Sequence, residues 1–415
     1  MIRLLLTSLS ACCLLTVVQA QPPQPGPISW KKHVLDTTFH AEGVGVADVN
    51  NDGKKDILNG EFWYEAPDWK RHEMQPPGNY GDGQRSYSKT FCCWPEDLNG
   101  DGYVDLIVID FPGAPCYWLE NPKGKPGHWK KHQIWHSACN ETPQYVDLLG
   151  TGKKVIIMGF QPKGKPGVDN EGQMAYFTPA QDPYAEWEMH PISQASVAPT
   201  VENGKAVPRT GSMIPGTQKF SHGLGVGDLN GDGKLDVICT GGWWEQPANA
   251  DGKTPWKFHA ANLGPACADM FAIDIDNDKK ADVISTSAHQ FGIWWHKQRA
   301  DGAFERRDLF PQYLSETHAA HFVDIDGDGL KDLVTGKRWW SHGRNEPGSD
   351  WPAMLYWFKA RKNKDGMIDF TPYIIDTDCG VGTQFSVTDV NGDGLLDVVV
   401  SNKKGVYYLE QVRKR

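Results

Sequence analysis

Short β-branched runs recur along the chain, each bounded by polar turns rich in Asp, Asn and Gly. Asp236-Val237-Ile238-Cys239-Thr240, closed by Gly241 and Gly242, is one, and Asp397-Val398-Val399-Val400 is another. Runs of this length and composition read as strands. Each follows a polar loop, and before that loop comes a further apolar run such as Gly225-Val226-Gly227 or His321-Phe322-Val323. An aromatic strand comes next: Phe62-Trp63-Tyr64-Glu65, Tyr117-Trp118-Leu119-Glu120, Trp243-Trp244-Glu245 and Ile293-Trp294-Trp295. A fourth element reads Trp-x-x-His, from Trp69 to His72, Trp129 to His132, Trp187 to His190 and Trp256 to His259. The last unit stops at Tyr407-Tyr408-Leu409-Glu410 without a fourth strand of its own, and Trp30-Lys31-Lys32-His33 offers the missing one.

The unit repeats seven times, with lead aspartates at 48, 97, 147, 228, 274, 324 and 389. Seven four-stranded units closed by pairing the two ends predict an all-β, seven-bladed β-propeller over residues 30–411, a ring that leaves only short sheet edges. Radial repetition also explains how a chain of 415 residues avoids the size limit of a single core. The two longest intervals place insertions at about 160–217 and 341–369. Long loops on a rigid scaffold often carry function.

The polar loops bring in the first chemistry. DLNGDGKLD, residues 228–236, alternates oxygen-bearing side chains around a glycine turn. Hard cations such as calcium take six to eight oxygen ligands, and this spacing supplies several from few residues. An EF-hand would place a glutamate at the twelfth position between helices; here that position is Cys239, inside a strand. Up to six structural calcium ions are expected. Their side-chain ligands would be Asp48, Asn50, Asp52 and Asp56; Asp97, Asn99, Asp101 and Asp105; Asp228, Asn230, Asp232 and Asp236; Asp274, Asp276, Asp278 and Asp282; Asp324, Asp326, Asp328 and Asp332; and Asp389, Asn391, Asp393 and Asp397. The seventh copy, from Asp147 to Gly152, has lost the alternating ligands and is expected to hold no ion.

These loops, preceded by stretches such as His222-Gly223-Leu224-Gly225-Val226-Gly227, resemble the FG-GAP or VCBS repeats of integrin α-subunit heads and of many secreted bacterial proteins. The resemblance spans residues 30–411 and implies the propeller and its calcium. It leaves function open, because similar propellers occur in adhesion modules and in sugar enzymes such as aldos-2-ulose dehydratase and some polysaccharide lyases. The chain departs from the pattern at the Asp147 loop and at Lys279, which replaces the usual glycine.

Residues 1–20 carry Arg3, an apolar stretch from Leu4 to Val18 and the ending Val18-Gln19-Ala20, the features of a secretory signal peptide cleaved after Ala20. Leu9-Ser10-Ala11-Cys12 also fits a lipoprotein box, but the apolar run continues past it. A secreted or periplasmic protein is expected, with a linker at 21–29, a basic tail at 412–415, no transmembrane segment and a monomeric state. The formal charge is −10, much of it on the loop aspartates, so it indicates metal ligation more than an anionic or cationic partner. Nothing resembles a nucleic-acid module. Cysteines 92, 93, 116, 139, 239, 267 and 379 remain after signal removal; an odd number implies at least one free thiol or an intermolecular bond, and Cys239 in its buried strand is the first choice for a free thiol.

If the aspartate loops join first and second strands, the other loops share the opposite face. Of the fourteen histidines, the five in the Trp-x-x-His element are expected to be structural because they repeat. His40, His222, His289, His318 and His321, in non-repeating contexts, are candidates to act as acid or base, to bind a transition metal, or to satisfy loop carbonyls. Two readings compete, with a purely structural envelope role as a third. In the first, a carbohydrate or extracellular protein is held at the channel mouth by His40, His289, His321, Glu141, Gln384 and Trp94. In the second, a sugar lyase or dehydratase uses His222 or His318 as base, Tyr87 as acid and Lys89 or Arg338 to stabilise an enolate.

Overall fold

The computed structural model describes residues 28–163, 172–196, 200–203, 205–207 and 214–413. The expected signal peptide, most of the linker, residues 164–171, 197–199, 204 and 208–213 of the first insertion and the last two residues of the tail lie outside the described residues. Among the described residues there are strands, turns and loops and no helix, hence none long and apolar enough to cross a membrane.

The strands form a propeller-like set of antiparallel sheets. Five sheets of four strands stand apart. The first runs Gly45–Ala47, Asp56–Leu58, Phe62–Glu65 and Lys70–Glu73. Its aromatic third strand packs inside while the fourth, polar strand stays largely exposed at the outer edge. Four more follow the same order; the last pairs Ser29–Asp36 antiparallel with Gly405–Val412, so that Trp30 faces Gln411 and His33 faces Tyr408. A short hairpin, Thr200–Glu202 with Lys205–Val207, stands in the first insertion.

The expected count of seven separate blades is not reproduced as seven sheets. The remaining eight strands form one sheet, in which the units Leu224–Gly227 to Lys257–Ala260 and Cys267–Ile273 to Phe304–Asp308 are joined by parallel pairing of their first strands. Glycine makes this contact possible. A β-carbon on Gly225 would stand 1.9 Å from the Met270 carbonyl oxygen, and one on Gly227 would stand 2.2 Å from Ala272 Cβ. Without side chains there, the two backbones approach to hydrogen-bonding range.

The core lies between neighbouring sheets. Trp118 and Ile107 of one unit, for example, pack with Ile156, Phe177 and Trp187 of the next. Cys92, Cys93, Cys116, Cys239, Cys267 and Cys379 are free and buried, and Cys139 is buried too. Cys239 is thus one of several buried free thiols. Burial pushes Cys116, Cys239 and Cys267 up to about 12, so they act as small apolar groups.

Candidate functional site

The aspartate-bearing loops connect the first and second strands of six units. In each, the lead carboxylate shapes the turn. Asp228 accepts the amides of Gly231, Asp232 and Gly233 at 2.7, 3.1 and 2.8 Å, with Gly233 at φ +85°. Asp147 still accepts from Thr151 and Gly152, so that copy keeps its turn after losing its ligand pattern. The fourth carboxylate of each loop is buried and engaged. Asp236 accepts the Leu229 amide on one oxygen and the Gln246 amide on the other, both at 2.9 Å, and Asp56, Asp105, Asp282, Asp332 and Asp397 repeat this bridge. Burial pushes Asp56 and Asp236 up to about 6, and Asp105 and Asp332 to about 7, against the pull of those amides.

A second pattern couples the loops to the third strands. Where the third loop position is Asn50, Asn99, Asn230 or Asn391, the third strand carries Glu65, Glu120, Glu245 or Glu410; where it is Asp276 or Asp326, the strand carries Lys297 or Lys359. Lys297 ion-pairs with Asp276, and Lys359 with Asp326 and, at 2.6 Å, with Asp328. The chain therefore balances each extra loop carboxylate with its own cation. This covariation was visible in the sequence as a glutamate-to-lysine exchange at a repeat position.

The four glutamates have another partner. His72, His132 and His259 stack on Trp63, Trp118 and Trp243, with centroids 4.2, 4.4 and 4.0 Å apart, and bond Glu65, Glu120 and Glu245 at 2.8, 2.8 and 2.7 Å. His33 does the same with Tyr408 and Glu410, while His190 stacks on Tyr176 and meets Thr178. These histidines tie the outer strand to the third strand in every one of the five units.

On the opposite face, loops from several units converge. Glu141, His222 and His318 each lie just before a first strand, while His289 lies in a turn between second and third strands. His222 Nε2 stands 2.9 Å from His289 Nε2 and 3.2 Å from His318 Nε2, and Glu141 Oε2 is 3.0 Å from His318 Nε2 and 3.5 Å from His222 Nε2. Arg338, 1% exposed, donates twice to Glu42 Oε1 at 2.9 and 2.5 Å and lies 3.5 Å from Glu141. Burial alone would raise the Glu141 carboxyl, but His222 and His318 hold it well below its usual value; burial, reinforced by Arg338, pushes His318 well down. Behind them Lys337 pairs with Glu316, both fully buried.

Tyr87, Phe91, Phe111 and Phe220 wall a cavity of about 360 Å³ whose polar lining is Glu141, His222, Arg338 and His342. The Tyr87 hydroxyl donates to the Ser341 carbonyl at 2.8 Å. Lys403 Nζ sits 4.3 Å from the Tyr87 ring centre and donates to the Trp340 carbonyl; burial lowers it to about 8. Glu346, from the second insertion, reaches His289 Nδ1 at 3.0 Å and His342 Nδ1 at 2.5 Å.

The structure thus brings together His222, His318, Tyr87, Arg338, His289 and Glu141. It does not bring the other predicted residues there. Lys89 is exposed, with Asp110 and Lys131 in its surroundings. His40 is buried between Asp36 and Glu61, at 3.6 and 3.1 Å. Trp94, His321 and Gln384 line a different cavity of about 210 Å³, with Asp269 and Gln144. There His321 Nε2 bonds the Phe385 carbonyl at 2.7 Å and Gln384 bonds both backbone groups of Val44. Glu42, Glu316, His342 and Glu346 were missed, because a lone titratable residue in a loop carries no signal of where the fold will place it. Only the insertion holding His342 and Glu346 was marked.

Residues 242–335 match the model of the FG-GAP-like repeat, and residues 381–412 match that of the FG-GAP repeat. The chain carries FG-GAP repeats. Cartilage acidic protein 1 of Xenopus tropicalis is 27% identical over 146 residues, covering 30% of this chain and 22% of that protein, so the chain spans under a quarter of the length of this relative. Among solved structures, an Agrocybe aegerita lectin recognising non-reducing terminal N-acetylglucosamine aligns at 16% identity, covering 91% of this chain and 86% of the lectin, with a TM-score of 0.42. Rhamnogalacturonan lyase YesW aligns at 12% identity over 92% of this chain and 75% of the lyase, with a TM-score of 0.43. Likenesses at these scores carry no functional weight.

Proposed function

We propose that this chain is an exported, seven-bladed FG-GAP propeller that binds a carbohydrate at the channel mouth opposite its aspartate loops. In this reading the eight-stranded sheet counts as two blades, and Ser29–Asp36 completes the last blade and closes the ring. The supporting observation is the cavity in which Tyr87, Phe111 and Phe220 face Glu141, His222 and Arg338. Aromatic walls suit the apolar faces of a pyranose, and a few fixed polar groups orient its hydroxyls. A glycan array with the purified protein tests this. Phe220→Ala should abolish any binding found without lowering the melting temperature by more than a degree or two, since that side chain is exposed and contributes little to stability, and His222→Ala should abolish it as well. Unchanged binding in both variants would remove the pocket from consideration.

In the same proposal the six aspartate loops hold calcium, which offsets the repulsion of crowded carboxylates and stabilises the fold by mass action. Thermal unfolding with and without chelator checks this; an unmoved midpoint after verified metal removal would contradict it. A second reading, a lyase or dehydratase, is favoured by one observation: His222, Tyr87 and the buried Arg338 line one cavity, with His318 3.2 Å from His222, the groups that proton abstraction beside a carbonyl needs. A screen of keto-sugars and uronic-acid polymers for unsaturated products separates it from binding alone.

A further inference from the structure

We propose that His222, His289 and His318, with Glu141, form a centre for one divalent transition-metal ion in the wall of the channel-mouth cavity. The four ligand atoms come from four successive units of the ring, yet they stand 2.9, 3.2, 3.0 and 3.5 Å from their neighbours. Bond lengths of about 2.0–2.1 Å in a tetrahedral site place ligand atoms roughly 3.3 Å apart. Four of the six separations in the cluster, 2.9–3.5 Å, lie around that value, and the three histidine nitrogens all stand within 4.8 Å of one another.

Hydrogen bonding does not account for the arrangement equally well. His222 Nε2 lies within hydrogen-bond range of two other ring nitrogens and near the Glu141 oxygen. A ring nitrogen carries either one proton or one lone pair, so it cannot satisfy these contacts together. A cation accepts the lone pairs of all three nitrogens at once. The imidazole-rich donor set also differs in kind from the oxygen-only loops. It selects the zinc, iron, nickel and copper class rather than calcium.

The surroundings fit ligand-orienting groups. Glu346 faces His289 Nδ1 at 3.0 Å, the carboxylate–histidine pairing that fixes a ligating ring and raises its basicity. Arg338, anchored on Glu42, stands 3.5 Å from the same Glu141 oxygen and helps hold that carboxylate in place. His222 and Glu141 also line the cavity, so an ion held there would lie at its edge and would take a sugar hydroxyl or carbonyl oxygen as a fifth ligand. That role in ligand capture rests on the pocket reading above; ion binding itself does not.

The test uses the full exported chain, stripped with chelator, reloaded with calcium and then titrated with Zn2+ by calorimetry and with Co2+ by visible absorption. The expected result is about one tight ion per chain and a Co2+ spectrum of four-coordinate intensity. His289→Ala and His222→Ala should each lose that ion and that spectrum, whereas His259→Ala, which removes an outer-strand histidine, should keep both. The melting temperature of the wild type should rise on Zn2+ loading, because the ion links four units of the ring. A wild type that takes up no ion, or an uptake and spectrum unchanged in His289→Ala and His222→Ala, would overturn the proposal. Sugar binding together with a wild type that takes up no ion would fell the centre alone. Ion binding without any sugar binding would keep the centre and fell the pocket reading.

Discussion

Removing the Arg338 guanidinium leaves a buried carboxylate without its cation, and the cost can be bounded from the geometry. Glu42 is fully buried, Arg338 is 1% exposed, and two short hydrogen bonds join them. Arg338→Met keeps much of the side chain's volume and removes the charge, so the change is mainly electrostatic. Breaking a buried pair from one side costs about 3–5 kcal/mol, because the remaining charge keeps its desolvation penalty and loses its compensation. Glu141 adds little to this, since His222 and His318 still face it. For a chain of this size, that loss lowers the melting temperature by roughly 4–6 °C. Glu42→Gln alone leaves a buried cation beside Glu141 and should cost less. In the double variant both charges of the pair are gone, and the melting temperature should recover part of the way, with a coupling of about 1.5–3 kcal/mol. Melting curves and urea midpoints of the four proteins, at neutral pH with saturating calcium, measure the cycle. An Arg338→Met protein that melts within about a degree of the parent, or strictly additive losses in the double variant, would show that the pair is not the charge anchor inferred here.

The remaining predictions concern the rest of the ring. Burial alone would lower His40, but its bonds to Asp36 and Glu61 outweigh this and raise it to about 9 from 6.5, while Arg71 also pairs with Asp36. Its stabilisation is therefore fully present below pH 6.5 and is lost as pH rises through about 9; Lys403, lowered to about 8, works in the opposite sense, so the component absent from His40→Gln melting curves isolates the effect. His259→Ala should destabilise the fold by about 1–2 kcal/mol through its lost stacking and hydrogen bond while leaving any channel-mouth binding intact; loss of binding without loss of stability would reverse the roles assigned to outer and inner histidines. Lys359→Met should tighten calcium binding at the Asp324–Asp332 loop, because it removes a cation that competes for Asp326 and Asp328; weaker binding by calorimetry would argue against competition. Deleting residues 29–36 should expose the edge of Gly405–Val412 and cause aggregation visible by light scattering, and a monomeric, equally stable product would disprove the closing role of that strand.

Strand identity, the order of four strands per unit and the aspartate turns were legible in the sequence because each depends on neighbours a few residues away. The β-branched run, the glycine at the turn and the lead carboxylate that caps it act locally, and repetition amplified the signal. The structural character of His72, His132 and His259 could be read for the same reason: a residue that recurs at one repeat position does the same work in each unit. The pairing of Asp276 with Lys297 and of Asp326 with Lys359 was equally readable and was overlooked. What the tertiary structure alone decided is which non-repeating side chains meet. Glu141, His222, His289 and His318 are spread over 178 positions and share no short spacing, yet they meet because the sheets bring their loops to one mouth. The same arrangement sent His321 and Gln384 to a separate cavity and buried His40 against Asp36 and Glu61. Fusion of two units into one eight-stranded sheet was likewise beyond local reading, since it needs Gly225 and Gly227 to lie against Met270 and Ala272. A periodic pattern specifies each unit, whereas the convergence of loops depends on how the units are set around the channel, and no stretch of a few residues encodes that.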